Sequence, residues 1–124
     1  MHITDAKEEL FIRTSIQSNA GTAVLLLTEQ CPANELWAPQ FAAVENTSTE
    51  SVTVQWCIRR SSDTRLMGAD STVATLKAIA TNVLPFVGPG EQLGAQIIGA
   101  AVKGACWLTV TGWRFRARIE PDRA

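Results

Sequence analysis

The run from Ala105 to Arg118, ACWLTVTGWRFRAR, constrains this chain more than any other stretch. It is the strongest strand signal in the sequence, and it is far longer than a typical strand of about five or six residues. Its apolar pattern changes phase partway. Cys106, Leu108 and Val110 alternate with Trp107, Thr109 and Thr111; beyond Gly112 the apolar positions are Trp113, Phe115, Ala117 and Ile119, with Arg114, Arg116 and Arg118 between them. A strand alternates faces with period two, so a phase change requires an extra residue or a bend. Glycine at the change point predicts a bulge or bend at Gly112. On that reading Trp113 and Phe115 join the core and the three arginines face outward.

A strand of this kind needs shorter partners, and the rest of the chain supplies them. Residues 22–28 are an almost continuous apolar run, and 36–45 follow with Pro39 inside, which places that strand at an edge or at a bulge. Residues 51–60 alternate cleanly: Val52, Val54, Trp56 and Ile58 on one face, Ser51, Thr53, Gln55, Cys57 and Arg59 on the other. Cys57 on the polar phase is expected to be partly exposed. Residues 66–80 read as a short strand plus irregular chain, 82–86 as a short edge strand and 93–98 as a further strand. Turns are expected at 18–21, 46–50, 88–91 and 99–104. Together these give an all-β fold, an antiparallel β-sandwich or jelly roll of about seven to eight strands.

The first residues allow two readings. Asp5-Ala6-Lys7-Glu8 has capping-box form, which permits a short helix over 6–13; Phe11 to Ile16 is rich in β-branched residues, which favours an extended arm. The domain organisation read from the sequence is an N-terminal arm over 1–20, a β-sandwich over 21–120 and a polar tail over 121–124. At 124 residues, 46% hydrophobic and 19% charged, the chain suits one globular domain.

Several function classes lack support. The net charge of −1 gives no electrostatic case for nucleic acid. No apolar run is long enough to span a membrane as a helix, and the mixed-charge start does not resemble a secretion signal. His2 is the only histidine, which removes Ser-His and Cys-His nucleophile pairs and most zinc chemistry. Cys31, Cys57 and Cys106 are widely spaced and read as free thiols rather than a disulfide or metal set. The carboxylates fall mostly in expected turns and tails, and Gly88-Pro89-Gly90 lacks the lysine and the helix of a phosphate loop. The reading is of a non-enzyme with no cofactor and no metal.

What remains is a set of candidate contact residues. Phe11 and Ile12 could dock the arm onto a neighbour. Arg114, Arg116 and Arg118 form a row suited to an acidic protein surface, with Arg59, Arg60 and Arg65 as possible additions. Trp37 and Trp107 are hard to place in a core, and an exposed aromatic serves as an interface anchor or a sugar platform.

The order of features resembles a known group. An apolar strand leads to Cys31-Pro32-Ala33-Asn34; a strand closes on Val44-Glu45-Asn46-Thr47-Ser48; Val52-Thr53-Val54-Gln55-Trp56 follows; then come Gly88-Pro89-Gly90-Glu91-Gln92-Leu93 and Leu108-Thr109-Val110-Thr111-Gly112-Trp113. Over residues 22–118 this resembles the small β-sandwich virion proteins of tailed bacteriophages, found among capsid decoration (cement) proteins and fibre- or tail-associated modules. The resemblance implies a structural protein of the virion, made in the host cytoplasm. Its implied partners are itself, as a homo-oligomer and commonly a trimer, and the major capsid or another virion protein. The alternative it implies is a fibre-associated or carbohydrate-binding module that recognises a surface glycan.

Overall fold

The structure, a computed structural model, describes residues 2–17, 23–99 and 105–118, with side chains from residue 7 in the first span and to residue 116 in the last. The expected turn at 18–21, most of that at 99–104, the tail and the side chain of Arg118 lie outside the described residues.

Eight strands are described: β1 (His2–Gln17), β2 (Val24–Leu27), β3 (Glu35–Asn46), β4 (Val52–Arg60), β5 (Asp63–Val73), β6 (Ala78–Thr81), β7 (Glu91–Ile98) and β8 (Ala105–Arg118). They form two four-stranded antiparallel sheets, β1-β8-β3-β6 and β2-β7-β4-β5. The fold is the all-β sandwich read from the sequence. The core between the sheets is made by Leu10, Trp37, Val44, Leu108 and Val110 from the first sheet and Leu26, Val52, Val54, Leu93 and Ile97 from the second.

Three local expectations change. The N-terminal segment is not a helix; it is extended, as its β-branched residues favour, and it joins the sandwich itself. Residues 2–17 form an edge strand of the first sheet, in unbroken register with β8 from Lys7↔Phe115 to Gln17↔Ala105. Long-range pairing of β-branched residues overrides the local capping-box form. Residues 82–86 are not a strand; they lie against β3 without pairing, and the chain meets the first sheet in a single isolated bridge, Trp37↔Val87. Cys57 does lie on the polar phase of β4, yet it is fully buried. It sits between Leu66 of β5 and Gly94 of β7, where the backbone of β2 at Leu26 and Leu27 comes close to Gly94.

The largest change concerns the phase break. It occurs in β3, not in β8. Glu35, Trp37 and Pro39 face inward, then Ala42, Val44 and Asn46 do, so the inward positions slip by one between Pro39 and Ala42. Pairing with β8 shows the reason: Pro39↔Gly112 is followed by Phe41↔Thr111, leaving Gln40 as an extra residue. Pro39, with no N–H to give the ladder, sits beside this bulge in an interior strand. β8 itself keeps one phase throughout. Cys106, Leu108, Val110, Gly112, Arg114 and Arg116 share the inward phase; Trp107, Thr109, Thr111, Trp113 and Phe115 share the outward one.

The end of the sandwich where β3 finishes is closed by Asn46. Its buried amide donates to Val73 O at 3.0 Å and Glu50 O at 2.8 Å, and its Oδ1 accepts from the Ser48 backbone N–H at 2.9 Å. No buried side-chain nitrogen or oxygen among the described residues lacks a partner.

All three cysteines are free thiols in buried positions. Burial pushes Cys31 and Cys57 up from 9.0 to about 11, and it raises Cys106 as well. Glu35 and Glu91 add to the effect at Cys31, while Arg59 opposes it at Cys57. Well below pH 9 Cys31 and Cys57 are protonated in both folded and unfolded chains. As pH rises through 9 and toward 11 the unfolded chain loses protons that the folded chain keeps at these two positions, so stability falls through that window. At pH 8 Cys31 and Cys57 hold about a hundredfold less thiolate than unperturbed thiols. We expect a thiol reagent to leave the native protein unmodified and to label all three cysteines in denaturant. Rapid native labelling of one thiol would contradict the packing.

Candidate interaction surface

Two groups of side chains follow from the single phase of β8. The first lies on its inward phase, past the apolar core, at the end of the sandwich where β1 and β3 begin. Arg114 Nε contacts Glu8 Oε2 at 3.2 Å and Arg114 Nη1 contacts Glu35 Oε1 at 3.8 Å. Arg116 Nη2 lies 3.5 Å from the same Glu8 oxygen. Glu35 is buried and also accepts from Trp37 Nε1 at 3.2 Å. The buried carboxylate is thereby satisfied by one charge and one donor.

This overturns the expected outward arginine row. Arg114 and Arg116 sit on the core-side phase and are paired within the chain. Arg59, Arg60 and Arg65 belong to the other sheet, in β4 and β5; Arg60 and Arg65 line a separate polar cleft of about 250 Å³ with Ile58, Asp63 and Glu91. Trp37 is also removed from the contact set. It is buried in the core, inward-facing because the bulge at Gln40 resets the phase of β3. Carboxylates, too, are not confined to turns, since Glu8, Glu35, Glu45 and Glu91 lie on strands.

The second group is the outer face of the first sheet. β8 contributes Trp107, Trp113 and Phe115; β1 contributes Lys7, Glu9, Phe11 and Arg13; β3 contributes Leu36, Ala38, Phe41 and Ala43. Phe11 is 68% exposed and Phe41 43%. The two lie on either side of Thr111, each directly opposite it in register. Ile12 is not part of this face; it packs against the core. Trp107 is half-buried on the outer face, as the alternation of β8 predicts.

Two basic side chains lie over these rings. Lys7 Nζ is 4.1 Å from the centroid of Trp113, and the Arg13 guanidinium carbon is 4.7 Å from that of Trp107. Arg13 Nη1 also donates to Thr109 Oγ1 at 3.4 Å. Cation–π contacts of this kind hold both ring and cation in place on an exposed face. A shallow depression of about 300 Å³, lined by Glu9, Leu10, Phe11, Gln40, Thr111, Gly112 and Trp113, runs over the bulge. A second one beside it, bordered by Ala38, Gln40 and Phe86, continues the apolar ground toward the β6–β7 connection.

Hydrophobic patterning alone hid this face. Trp113 and Phe115 look like core residues because they are aromatic. The arginines look solvent-facing because they are charged. The locating signal was the Pro39-Gln40 step in β3, whose effect depends on pairing. Among the described residues no cluster of three His, Cys, Asp or Glu side chains is arranged to hold a metal ion.

No protein-family model matches this chain, and no curated protein matches it in sequence. Among solved structures, the crystal structure of PirA is similar, with a TM-score of 0.51 and 14% identity over 88% of this chain and 96% of that one. At that identity the likeness speaks to the fold alone.

Proposed function

We propose that this chain is a structural, non-enzymatic component of a bacteriophage virion, a capsid decoration protein that self-associates and bridges shell subunits. The observation that carries an assembly role is the outer face of β1-β8-β3-β6. It presents Phe11 and Phe41 to solvent beside Trp107 and Trp113, with cations fixed over both tryptophans. Tryptophan and arginine are among the side chains that contribute most at protein interfaces, and phenylalanine is enriched there. The particle setting rests on the resemblance of the sequence features to small β-sandwich virion proteins. Bridging acts through multivalency: a copy held at several points separates from a shell far less readily than its single contacts would.

The second reading, a fibre-associated or carbohydrate-binding module, draws on Trp107, whose ring is half-buried on the same face. It ranks lower because Arg13 lies over that ring and Lys7 over Trp113, occupying a face that a sugar would stack on.

The test uses purified shells of the encoding phage that lack this chain. We expect the protein to co-sediment with them at a fixed stoichiometry and to raise their melting temperature. Phe41→Asp should weaken binding at least about tenfold without unfolding the chain. Failure to bind shells, together with binding to a glycan, would replace this reading with the second one.

A further inference from the structure

The two sheets have four edges, and they are not alike. β2 and β6 are four residues long. β5 is broken: Val54↔Ser71 is followed by Trp56↔Met67, so residues 68–70 bulge out of register, with Gly68 at a φ of 71°. Short length and bulges are the usual means of keeping an edge from pairing with another chain. β1 is 16 residues long and has a register shift only near its start, between Ile3 and Lys7. From Lys7 to Gln17 it runs in continuous register with β8, without proline or glycine, and no described strand pairs with its other side.

The sequence of this open edge is self-complementary. In an antiparallel pairing of two identical strands about a two-fold axis, opposite residues share a face, so the sum of their numbers is even. Centring the axis on Glu9 or Arg13 opposes like charges at the centre. Centring it on Leu10 opposes Lys7 with Arg13. Centring it on Phe11 pairs Glu9 with Arg13 of the other copy, twice by symmetry, and sets Phe11 against Phe11. On the core-side phase it sets Leu10 against Ile12. Shifting the axis to Ile12 loses both ion pairs.

We propose that two copies of this chain join edge to edge through β1, antiparallel about a two-fold axis at Phe11, forming one continuous eight-stranded sheet. The partner is a second copy, and the two outer aromatic faces become one. This pairing covers Phe11, the most exposed large apolar side chain among the described outer strand positions on β1, β8 and β3. It depends on the self-association in the functional reading but not on the particle, and it makes the unit two-fold where the resemblance implies a trimer.

The test is sedimentation equilibrium on the full chain. We expect a species of twice the 13.4 kDa chain mass. Arg13→Glu opposes Glu9 with a second acid at both symmetric positions and should raise the dissociation constant at least about tenfold. The double variant Glu9→Arg/Arg13→Glu restores opposite charges and should recover the dimer. Within one chain these residues are about 13 Å apart along the strand, so recovery reports contact between copies. Phe11→Cys, opposite its own symmetry mate, should cross-link on mild oxidation, whereas Ser15→Cys should not. The three natural thiols are buried and do not compete. A monomer at all concentrations, an oligomer indifferent to Arg13→Glu, or a double variant that fails to recover would each overturn the pairing. A monomer that still binds shells would do so while leaving the particle reading intact.

Discussion

Gly94→Ala should be among the most damaging single-methyl changes available in this protein. Gly94 lies in β7, between Leu27 of β2 and Cys57 of β4. A Cβ there would stand 1.9 Å from Leu26 O and 2.9 Å from both Leu26 C and Leu27 Cα. These are backbone atoms and cannot step aside as a side-chain tip can. To admit the methyl group, β2 must leave β7. That lifts Leu26 from the core and breaks the Thr28 N–H bond to Leu93 O, 2.8 Å long. Overpacking of this severity costs at least ~3 kcal/mol, a large share of the ~5–15 kcal/mol that holds a domain together. The urea midpoint should fall sharply or the protein should fail to accumulate. Gly68→Ala is the informative contrast. It has open space around it and a φ of 71°, so only the backbone conformation resists, at about 1 kcal/mol. If the two variants unfold at the same urea concentration, the close approach of β2 to Gly94 is wrong.

Gly112→Ala should rank beside it, for a different reason. Gly112 faces the bulge in β3, where the extra residue pushes backbone toward β8. A Cβ on Gly112 would meet Ala38 O at 2.3 Å, and Gln40 N and Pro39 Cα at 2.8 Å. The substitution should cost ~2–4 kcal/mol and distort the ladder between β8 and β3. It should also register in tryptophan signals. Trp113 follows Gly112 directly, and Trp37 owes its inward position to the same bulge. We expect changes in near-ultraviolet circular dichroism and a lower melting temperature together. A variant with native spectra and native stability would show that β3 does not approach Gly112 as described.

The same bulge explains what could be read from the sequence and what could not. β4 was legible because its alternation is uninterrupted: Val52, Val54, Trp56 and Ile58 all face the core side. The turn at Gly88-Pro89-Gly90-Glu91 was legible because its chemistry is local; Glu91 N–H reaches Gly88 O at 3.1 Å, and Glu91 Oε1 accepts from Gly88 N–H at 2.7 Å. Gly112 was rightly marked as a special position, but the phase break it signals lies across the ladder, at Gln40. In β3, apolar residues stand on both faces around the bulge, Trp37 inward and Phe41 outward, so hydrophobicity does not show where the phase slips. An aromatic outer face then imitates a core in β8, and core-side arginines past the end of the apolar layer imitate a surface. Arg114 and Arg116 could be placed only once Glu8 and Glu35 were known to lie opposite them. The helix reading of the N-terminal segment failed for a related reason. Its helical signal is local, whereas its strand partner lies about a hundred residues away, as Glu8↔Arg114 shows.

Of the residues first singled out, Phe11 and Trp107 remain on a surface able to meet a partner. Trp37 and Ile12 belong to the interior, and Arg114 and Arg116 to an internal ion-pair network. Phe41, Trp113, Lys7 and Arg13 replace them. Exposed ion pairs such as Arg116 with Glu8 contribute only about 0–1 kcal/mol to stability, so the importance of this network lies with buried Glu35 rather than with the rim.

Under the proposed function this chain meets partners with the outer face of β1-β8-β3-β6. Hydroxyl-radical footprinting of the protein alone and of the protein mixed with purified phage shells tests this proposal most directly. Phe41, Trp107 and Trp113 are expected to lose reactivity on assembly while Leu66, exposed on β5 of the other sheet, keeps it. Protection at Leu66, with these three aromatic side chains unchanged, would contradict the proposal.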